Sequence, residues 1–307
     1  MELIRGLVNL RERQRGCVVT IGSYDGIHLG HQALLGRLNE HAARLLAPTV
    51  LLTFEPLPRE YLSPRTPPAR LTSLRERWRV LEGMGLDYLL LLRFGEGLRN
   101  LSGEAFARLL AQDLGARAVV VGHDFRFGCH GEATASMLVE AGQRLGFSVD
   151  VVPPVMLDGE RVSSSFVREA LRRGQFDLAQ RRLGRPYSMR GRVVRGQRLG
   201  RDLGYPTANL RIERRRAPLN GIFAVRVHGV GAAPLRGVAS LGTRPTVGGV
   251  HTLLEVHVFD FSADLYGREI EVEFVAKLRD EEYFPTLEAL VEQIHRDAAE
   301  ARRILNA

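Results

Sequence analysis

Cys17-Val18-Val19-Thr20-Ile21, running into Gly22-Ser23-Tyr24-Asp25-Gly26-Ile27-His28-Leu29-Gly30-His31, is the stretch on which the fold turns. Its first five residues are an apolar run that predicts a buried strand. Leu34, Leu35, Leu38, Ala42 and Leu45 then share one face of a helix that starts directly after the histidines. A strand, a glycine-broken turn and a helix N-terminus make a site for anionic phosphate. Free N–H groups and the positive end of the helix dipole point the same way, and glycine lets the backbone approach closely. His28 and His31 add two imidazoles at that helix start, able to donate to phosphate oxygens and to stabilise charge developing at phosphorus. The blander reading is one capping and one packed histidine; the clustering of glycines, aspartate and both histidines at one junction argues against it.

Outward from this motif, apolar runs recur at Val18–Ile21, Val50–Phe54, Tyr88–Leu92, Ala118–Val121 and Val149–Val152, with helical patterns such as Leu74–Met84 and Ala105–Leu114 between them. Continuous apolar strands separated by helices imply an α/β domain whose parallel sheet is covered on both faces. Ligands then bind beyond the carboxyl ends of the strands. Gly22–His31 lies at one such end, and Gly122-His123-Asp124-Phe125-Arg126-Phe127-Gly128 lies at another.

Near Gly184-Arg185-Pro186-Tyr187 the texture changes to short strands with glycine and proline turns. They are Arg190–Arg195, Ala208–Ile212, Ile222–His228, Gly237–Leu241, Leu253–Phe259 and Glu269–Ala276. Strands without intervening helices predict a small six-stranded antiparallel barrel. An amphipathic helix, Thr286–Leu305, closes the chain. The expected domains are residues 1–185 and 186–307.

At 307 residues the chain is comfortable as two cores, and 45% hydrophobic with 25% charged residues is the composition of an ordinary globular protein. No apolar stretch reaches the length of a membrane span, and Met1–Arg15 has no signal-peptide core. Cys17 and Cys129 form no metal-ligand cluster and fit a reducing compartment, so the cytoplasm is expected. The formal net charge of +8 is carried almost wholly by arginine, Lys277 being the only lysine. That skew reads as genomic base composition or a thermophilic habit. No RNP pattern, zinc-finger spacing or basic zipper supports nucleic-acid binding. Lys277 sits in Ala276-Lys277-Leu278, which excludes a P-loop. Phosphate chemistry must therefore use arginine, histidine, backbone amides and metal. No feature of the sequence speaks to oligomeric state.

The first motif resembles the H-x-G-H signature of nucleotidyltransferases that release pyrophosphate. In its longer form it is similar to the FMN adenylyltransferase half of bacterial bifunctional FAD synthetases. The resemblance implies a Rossmann-like nucleotidyltransferase domain in which His28 and His31 are catalytic and Gly22, Tyr24, Asp25, Gly26 and Gly30 bind ATP and FMN. Val162-Ser163-Ser164-Ser165-Phe166-Val167-Arg168 resembles the family's Ser-Ser-Thr-x-Ile-Arg segment. It implies that Ser163, Ser164, Ser165 and Arg168 hold the ATP phosphates, although serines at a helix start also read as plain caps. Asp124, Phe125 and Phe127 match Gly-x-Asp-Phe-x-Phe-Gly, which implies that Asp124 and Phe125 help bind ATP and FMN, although both phenylalanines also read as core. Two departures stand out. Leu57 stands where the family has histidine, and only Cys129-His130 precede Gly131-Glu132 where a longer, more basic loop is expected.

Gly196-Gln197-Arg198-Leu199-Gly200-Arg201-Asp202-Leu203-Gly204-Tyr205-Pro206-Thr207-Ala208-Asn209 resembles the riboflavin kinase signature. Further landmarks follow in order: Gly221-Ile222-Phe223, Gly242-Thr243-Arg244-Pro245-Thr246, Leu254-Glu255-Val256-His257, Leu265-Tyr266-Gly267 and Leu278-Arg279-Asp280-Glu281. The resemblance covers nearly the whole chain. It implies Thr207 and Asn209 as Mg²⁺ ligands, Glu255 as the base for the ribityl hydroxyl, and Gly196, Gly200, Arg201, Gly204, Pro206 and Arg279 as ATP or flavin contacts, with Arg279 on a loop. Alternation with Leu254 and Val256 by itself reads Glu255 as a solvent-facing strand residue. Together the halves imply ATP-dependent conversion of riboflavin to FMN and adenylylation of FMN to FAD. Two other readings stay open: a riboflavin kinase with an impaired adenylyltransferase module, motivated by Leu57 and the short loop, and a flavin- or RNA-binding regulator without turnover.

Overall fold

The strand expected at residues 18–21 forms the middle of a parallel sheet in the computed structural model, which describes residues 1–196, 204–214, 216–246 and 249–306. Along the chain the elements are β1 (Glu2–Arg5), β2 (Val18–Ile21), α1 (Leu29–Leu45), β3 (Thr49–Glu55), α2 (Pro58–Leu62), α3 (Leu74–Glu82) and β4 (Tyr88–Arg93). Then follow α4 (Glu96–Arg99), α5 (Gly103–Arg108), β5 (Ala118–Gly122), a hairpin of β6 (Arg126–Phe127) and β7 (Ala133–Thr134), α6 (Ala135–Leu145) and β8 (Ser148–Val152). A small hairpin, β9 (Met156–Leu157) with β10 (Glu160–Arg161), comes next.

The six-stranded sheet has the order β1-β4-β3-β2-β5-β8 with every pair parallel. From β2 the chain builds outward through β3 and β4 on one side and through β5 and β8 on the other. The gap beyond the carboxyl ends of β2 and β5 is therefore the switch point where doubly wound sheets bind ligands. β2 is buried at all four positions because it is central and covered on both faces. Strand β1 has no counterpart in the sequence reading. It is an edge strand with a single buried residue, Ile4, so no apolar run announces it. The helix expected over Ala105–Leu114 is present as α5 followed by a π-helical turn over Leu109–Asp113.

After α7 (Ser164–Arg172) and α8 (Phe176–Leu183), six strands close the expected antiparallel barrel. They are β11 (Ser188–Val194), β12 (Ala208–Arg211), β13 (Gly221–His228), β14 (Leu235–Thr246), β15 (Gly249–Val258) and β16 (Glu269–Arg279). The barrel order is β11-β12-β15-β14-β13-β16. Ile270, Val272 and Phe274 point inward and Glu269, Glu271 and Glu273 outward, as their alternation demands. The C-terminal helix α9 (Leu287–Asn306) lays Ala298, Ala301 and Leu305 against Ala224, Val238 and Phe259. Among the described residues no helix is long and apolar enough to cross a membrane.

Packing divides the chain elsewhere than the change of texture at residue 185. One compact unit holds residues 1–68 and 77–162, the other residues 69–76 and 163–307. Val167, Leu171, Phe176 and Leu183 of α7 and α8 share one apolar cluster with Phe223, Val225 and Phe274 of the barrel, and Leu71 joins it. The Tyr187 hydroxyl donates to the Leu71 carbonyl at 3.0 Å, and Glu76 accepts from the Arg190 amide at 2.8 Å and from the Arg214 guanidinium. Residues 69–76 thus run as a strap that belongs with the barrel.

Candidate active sites

The turn from β2 into α1 holds three residues at positive φ: Tyr24 at 48°, Gly26 at 88° and Ile27 at 45°. Only Gly26 adopts this freely. For Tyr24 and Ile27 it costs about 1–3 kcal/mol each, so the surroundings must impose it. Tyr24 and Ile27 are both buried, and the Tyr24 hydroxyl lies 2.6 Å from Thr20 Oγ1. Burial pushes that hydroxyl far above its usual range and the Thr20 bond only partly offsets this, so it remains a phenol. Asp25 is buried in the same turn.

His28 is the N-cap of α1, and its Nδ1 accepts the His31 amide at 3.3 Å. With Nδ1 so used, the neutral ring carries its proton on Nε2. The His28 and His31 rings stack at 3.7 Å and 16°, and Tyr24 lies 4.6 Å from His31 on centroids. A Cβ on Gly30 would come within 3.1 Å of His28 Cε1 and Nδ1, which explains glycine between the histidines. The helix start therefore presents two fixed imidazoles beside its own first-turn amides, an arrangement suited to phosphate oxygens.

At the end of β5, Asp124 is exposed and pairs with Arg161 of β10 at 2.5 Å. Partial burial pushes its carboxyl up, but the Arg161 hydrogen bond and charge outweigh this and hold it below the usual carboxylate range. Phe127 belongs to the core and stacks on half-buried Phe125 at 5.4 Å. The short loop closes β6 onto β7 through Gly128, whose φ is 79° and whose Cβ would sit 2.8 Å from the Gly103 nitrogen. Leu57, 5% exposed, caps α2.

One residue of this region escaped the sequence reading. Arg77 of α3 is 1% exposed and donates to the Ser23 carbonyl at 2.7 Å, to Thr53 Oγ1 at 3.2 Å and to Glu55 Oε2 at 3.0 Å. The available signal was its place four residues before Leu81 on the buried stripe of α3. An arginine there must have partners, because an unpaired buried charge is too costly.

Ser163, Ser164, Ser165 and Arg168 begin α7, in the second unit. Ser163 is the cap, its Oγ accepting the Phe166 amide at 3.2 Å, while Ser165 is exposed on the first turn. Arg168 Nε donates to the Ala69 carbonyl of the strap at 2.6 Å.

On the barrel, Asn209 of β12 is the cross-strand partner of Glu255 on β15, and Ser240 of β14 flanks Glu255 on its other side. Directly opposed residues share a face, so these three line the outer surface while Leu210, Leu254 and Val256 fill the interior. Asn209 is buried, and Gly196 packs on it so closely that a Cβ would meet its Nδ2 at 2.4 Å. Gly204, with φ at 82°, leads through Pro206 and half-buried Thr207 into β12. His257 Nδ1 donates to the Pro206 carbonyl at 2.9 Å. Gly200 and Arg201 lie outside the described residues. Arg279 corrects an expectation: it ends β16 instead of sitting on a loop. Its guanidinium is held by Asp297 of α9 at 2.8 and 3.0 Å, and Gln293 supports Asp297 at 2.9 Å.

Two family models account for the chain: FAD synthetase over residues 10–166 and riboflavin kinase over residues 183–305. A bifunctional riboflavin kinase/FMN adenylyltransferase of Pseudomonas fluorescens is 48% identical over 99% of this chain and 98% of its own. The chain belongs to the bifunctional riboflavin kinase/FMN adenylyltransferase family. Relatives of the same name from Escherichia coli K12 and Haemophilus influenzae are 44% and 40% identical, over 98% and 100% of this chain. A crystal structure of a protein described as a macrolide-efflux protein from Streptococcus pneumoniae superposes with a TM-score of 0.82 at 32% identity over 98% of each chain. Within the family frame, the histidine turn falls in the FAD synthetase stretch and the Asn209–Glu255 pair in the riboflavin kinase stretch.

Proposed function

We propose that this chain makes FAD from riboflavin in two ATP-dependent steps on two separate sites, assigned to residues 186–307 and then 1–185. The observation that carries the reading is the presence, in one chain, of the stacked histidine pair at a sheet switch point and of an Asn209–Glu255 pair on a barrel.

In the first step the ribityl 5′-hydroxyl attacks the γ-phosphorus of ATP, giving FMN and ADP. Glu255 takes the hydroxyl proton, a role typically worth about 10²–10⁴ in rate. The hydroxyl of Thr207 and the amide oxygen of Asn209 are hard oxygen donors, and among the described residues no group of His, Cys, Asp and Glu side chains forms a cage for a metal. This donor set fits Mg²⁺, which keeps phosphate and water oxygens in its shell. When bound, the ion neutralises phosphate charge. Gly196, Gly200, Arg201, Gly204 and Pro206 are assigned to binding ATP or flavin, as the family resemblance implies. Arg279, its guanidinium steadied by Asp297 and the Asp280 carbonyl, is assigned to binding phosphate or flavin.

In the second step a phosphate oxygen of FMN attacks the α-phosphorus of a second ATP, and the bond to the departing pyrophosphate breaks. No covalent enzyme intermediate is needed. His28, His31 and Arg168 are assigned to charge stabilisation and Ser163, Ser164 and Ser165 to phosphate oxygens, as the family resemblance implies. ATP as co-substrate and two free cysteines fit the cytoplasm.

Chromatography of the products formed from riboflavin, ATP and Mg²⁺ tests the reading. FMN followed by FAD is expected. Accumulation of FMN alone would favour a kinase whose first module is disabled, the reading that buried Leu57 and the short β6–β7 loop motivate. Formation of neither product would leave a non-enzymatic flavin binder.

A further inference from the structure

We infer that Arg77 is a positioning residue for FMN adenylylation, tying the carboxyl ends of β2 and β3 together beneath the turn that presents His28 and His31. The inference rests on the functional reading above and deepens it.

The guanidinium has donors on both sides of one seam. One nitrogen reaches Ser23 O, just after β2, and Thr53 Oγ1 within β3; another reaches Glu55 Oε2 at the end of β3. Ser23 O also receives the Thr53 hydroxyl at 3.4 Å. Ser23 directly precedes Tyr24, the first residue of the turn at positive φ. A backbone in that region relaxes unless it is held, and the carbonyl next to it is where the hold is applied. Burying a guanidinium is costly. An apolar side chain of similar volume would avoid that cost but would leave the Ser23 carbonyl short of a donor. The gain from keeping the arginine is a single turn geometry, which a phosphoryl-type transition state requires of its donors.

The test uses the full chain with Arg77→Met and Arg77→Lys. The readouts are kcat and KM for FMN adenylylation, riboflavin phosphorylation by the same preparation, and amide hydrogen exchange over residues 22–28. Arg77→Met is expected to lower adenylylation kcat about 10- to 100-fold with KM for FMN and ATP nearly unchanged. Riboflavin phosphorylation stays at the parent level, and exchange over 22–28 quickens by about tenfold or more. Arg77→Lys restores the charge and part of the bonding, and recovers part of kcat. Adenylylation kcat within about twofold of the parent in Arg77→Met, or unchanged exchange over the turn, would overturn the inference. So would parallel loss of both activities with the melting temperature, which marks a residue needed by the fold at large.

Should Arg77→Met fail to fold, Thr53→Val keeps the volume and deletes the bridging hydroxyl. A loss of about threefold or more in adenylylation kcat alone is then expected, and no loss contradicts the proposal. A parent that makes FMN but no FAD would defeat the functional reading, while the exchange measurement still decides whether Arg77 holds the turn.

Discussion

His28 has two tasks that meet in one ring. Its Nδ1 caps α1 by accepting the His31 amide, and its other nitrogen then carries the proton of the neutral ring. His28→Ala removes both, so FAD formation is expected to fall by about 10²-fold or more while riboflavin phosphorylation is unchanged. Glu255→Gln is expected to do the reverse, stopping FMN formation while FMN supplied from outside is still adenylylated. Assaying both variants on both substrates reads this directly, and equal loss of both activities in either variant would contradict two independent sites. Gly196 makes a finer claim. A Cβ there would meet Asn209 Nδ2 at 2.4 Å, and the amide group is the movable partner. Gly196→Ala should therefore displace the Asn209 oxygen, lowering riboflavin phosphorylation by about tenfold with adenylylation intact. Riboflavin and ATP kinetics on the purified variant check it. At this scale the sequence is a good guide to identity and a poor one to company. Alternation turns Glu255 away from Leu254 and Val256, but only strand register shows Asn209 opposite it. Arg77 was hard to read for a similar reason: an arginine is by default a surface residue, which outweighs its place on the stripe of α3, and its partners are known only once Ser23, Thr53 and Glu55 converge on it.

Among the elements, α1 illustrates how a helix that carries a site is held at its far end. Asp150 of β8 accepts from Arg37 at 2.8 and 3.0 Å and from His41 at 2.8 Å, both on α1. Burial raises the Asp150 carboxyl, but the bonds from His41 and Arg37 prevail and hold it below its ordinary value. A carboxyl depressed by folding contributes stability above its unfolded pKa of about 3.9 and loses it as pH falls through the lower folded value. Asp150→Asn should therefore melt about 1–3 °C below the parent at pH 7, the gap closing as pH drops under about 4. Melting curves across that range decide it, and a gap independent of pH would assign the effect to packing. The elements themselves were largely readable, because strand and helix periods are local. β1 was not, since four residues with one buried side chain carry no period.

For the molecule as a whole, the two compact packing units do not meet where the composition changes. The strap at 69–76 and helices α7 and α8 complete the core around the barrel, with Leu71, Val167, Leu171, Phe176 and Leu183 in one cluster with Phe223 and Phe274. A fragment of residues 163–307 keeps α7 and α8, whereas 186–307 exposes the apolar surface they cover. At about 1.5–3 kcal/mol for each large side chain fully buried, the longer fragment should melt well above the shorter one. Circular dichroism melts of the two fragments test this, and equal midpoints would show that α7 and α8 do not belong to the barrel's core.

The sequence by itself determined the order of the elements, the turn that carries His28 and His31, and the residues of both signatures. Each of these depends on neighbours within a few positions along the chain, where period, glycine and capping chemistry act. The tertiary structure decided what distant residues do together. Tyr187 and Leu71 stand 116 positions apart, and Arg214 and Glu76 stand 138 apart. Neither these bonds, nor the partners of Arg77, nor the pairing of Asn209 with Glu255 leaves a local trace, because each exists only once the backbone has already brought its partners together.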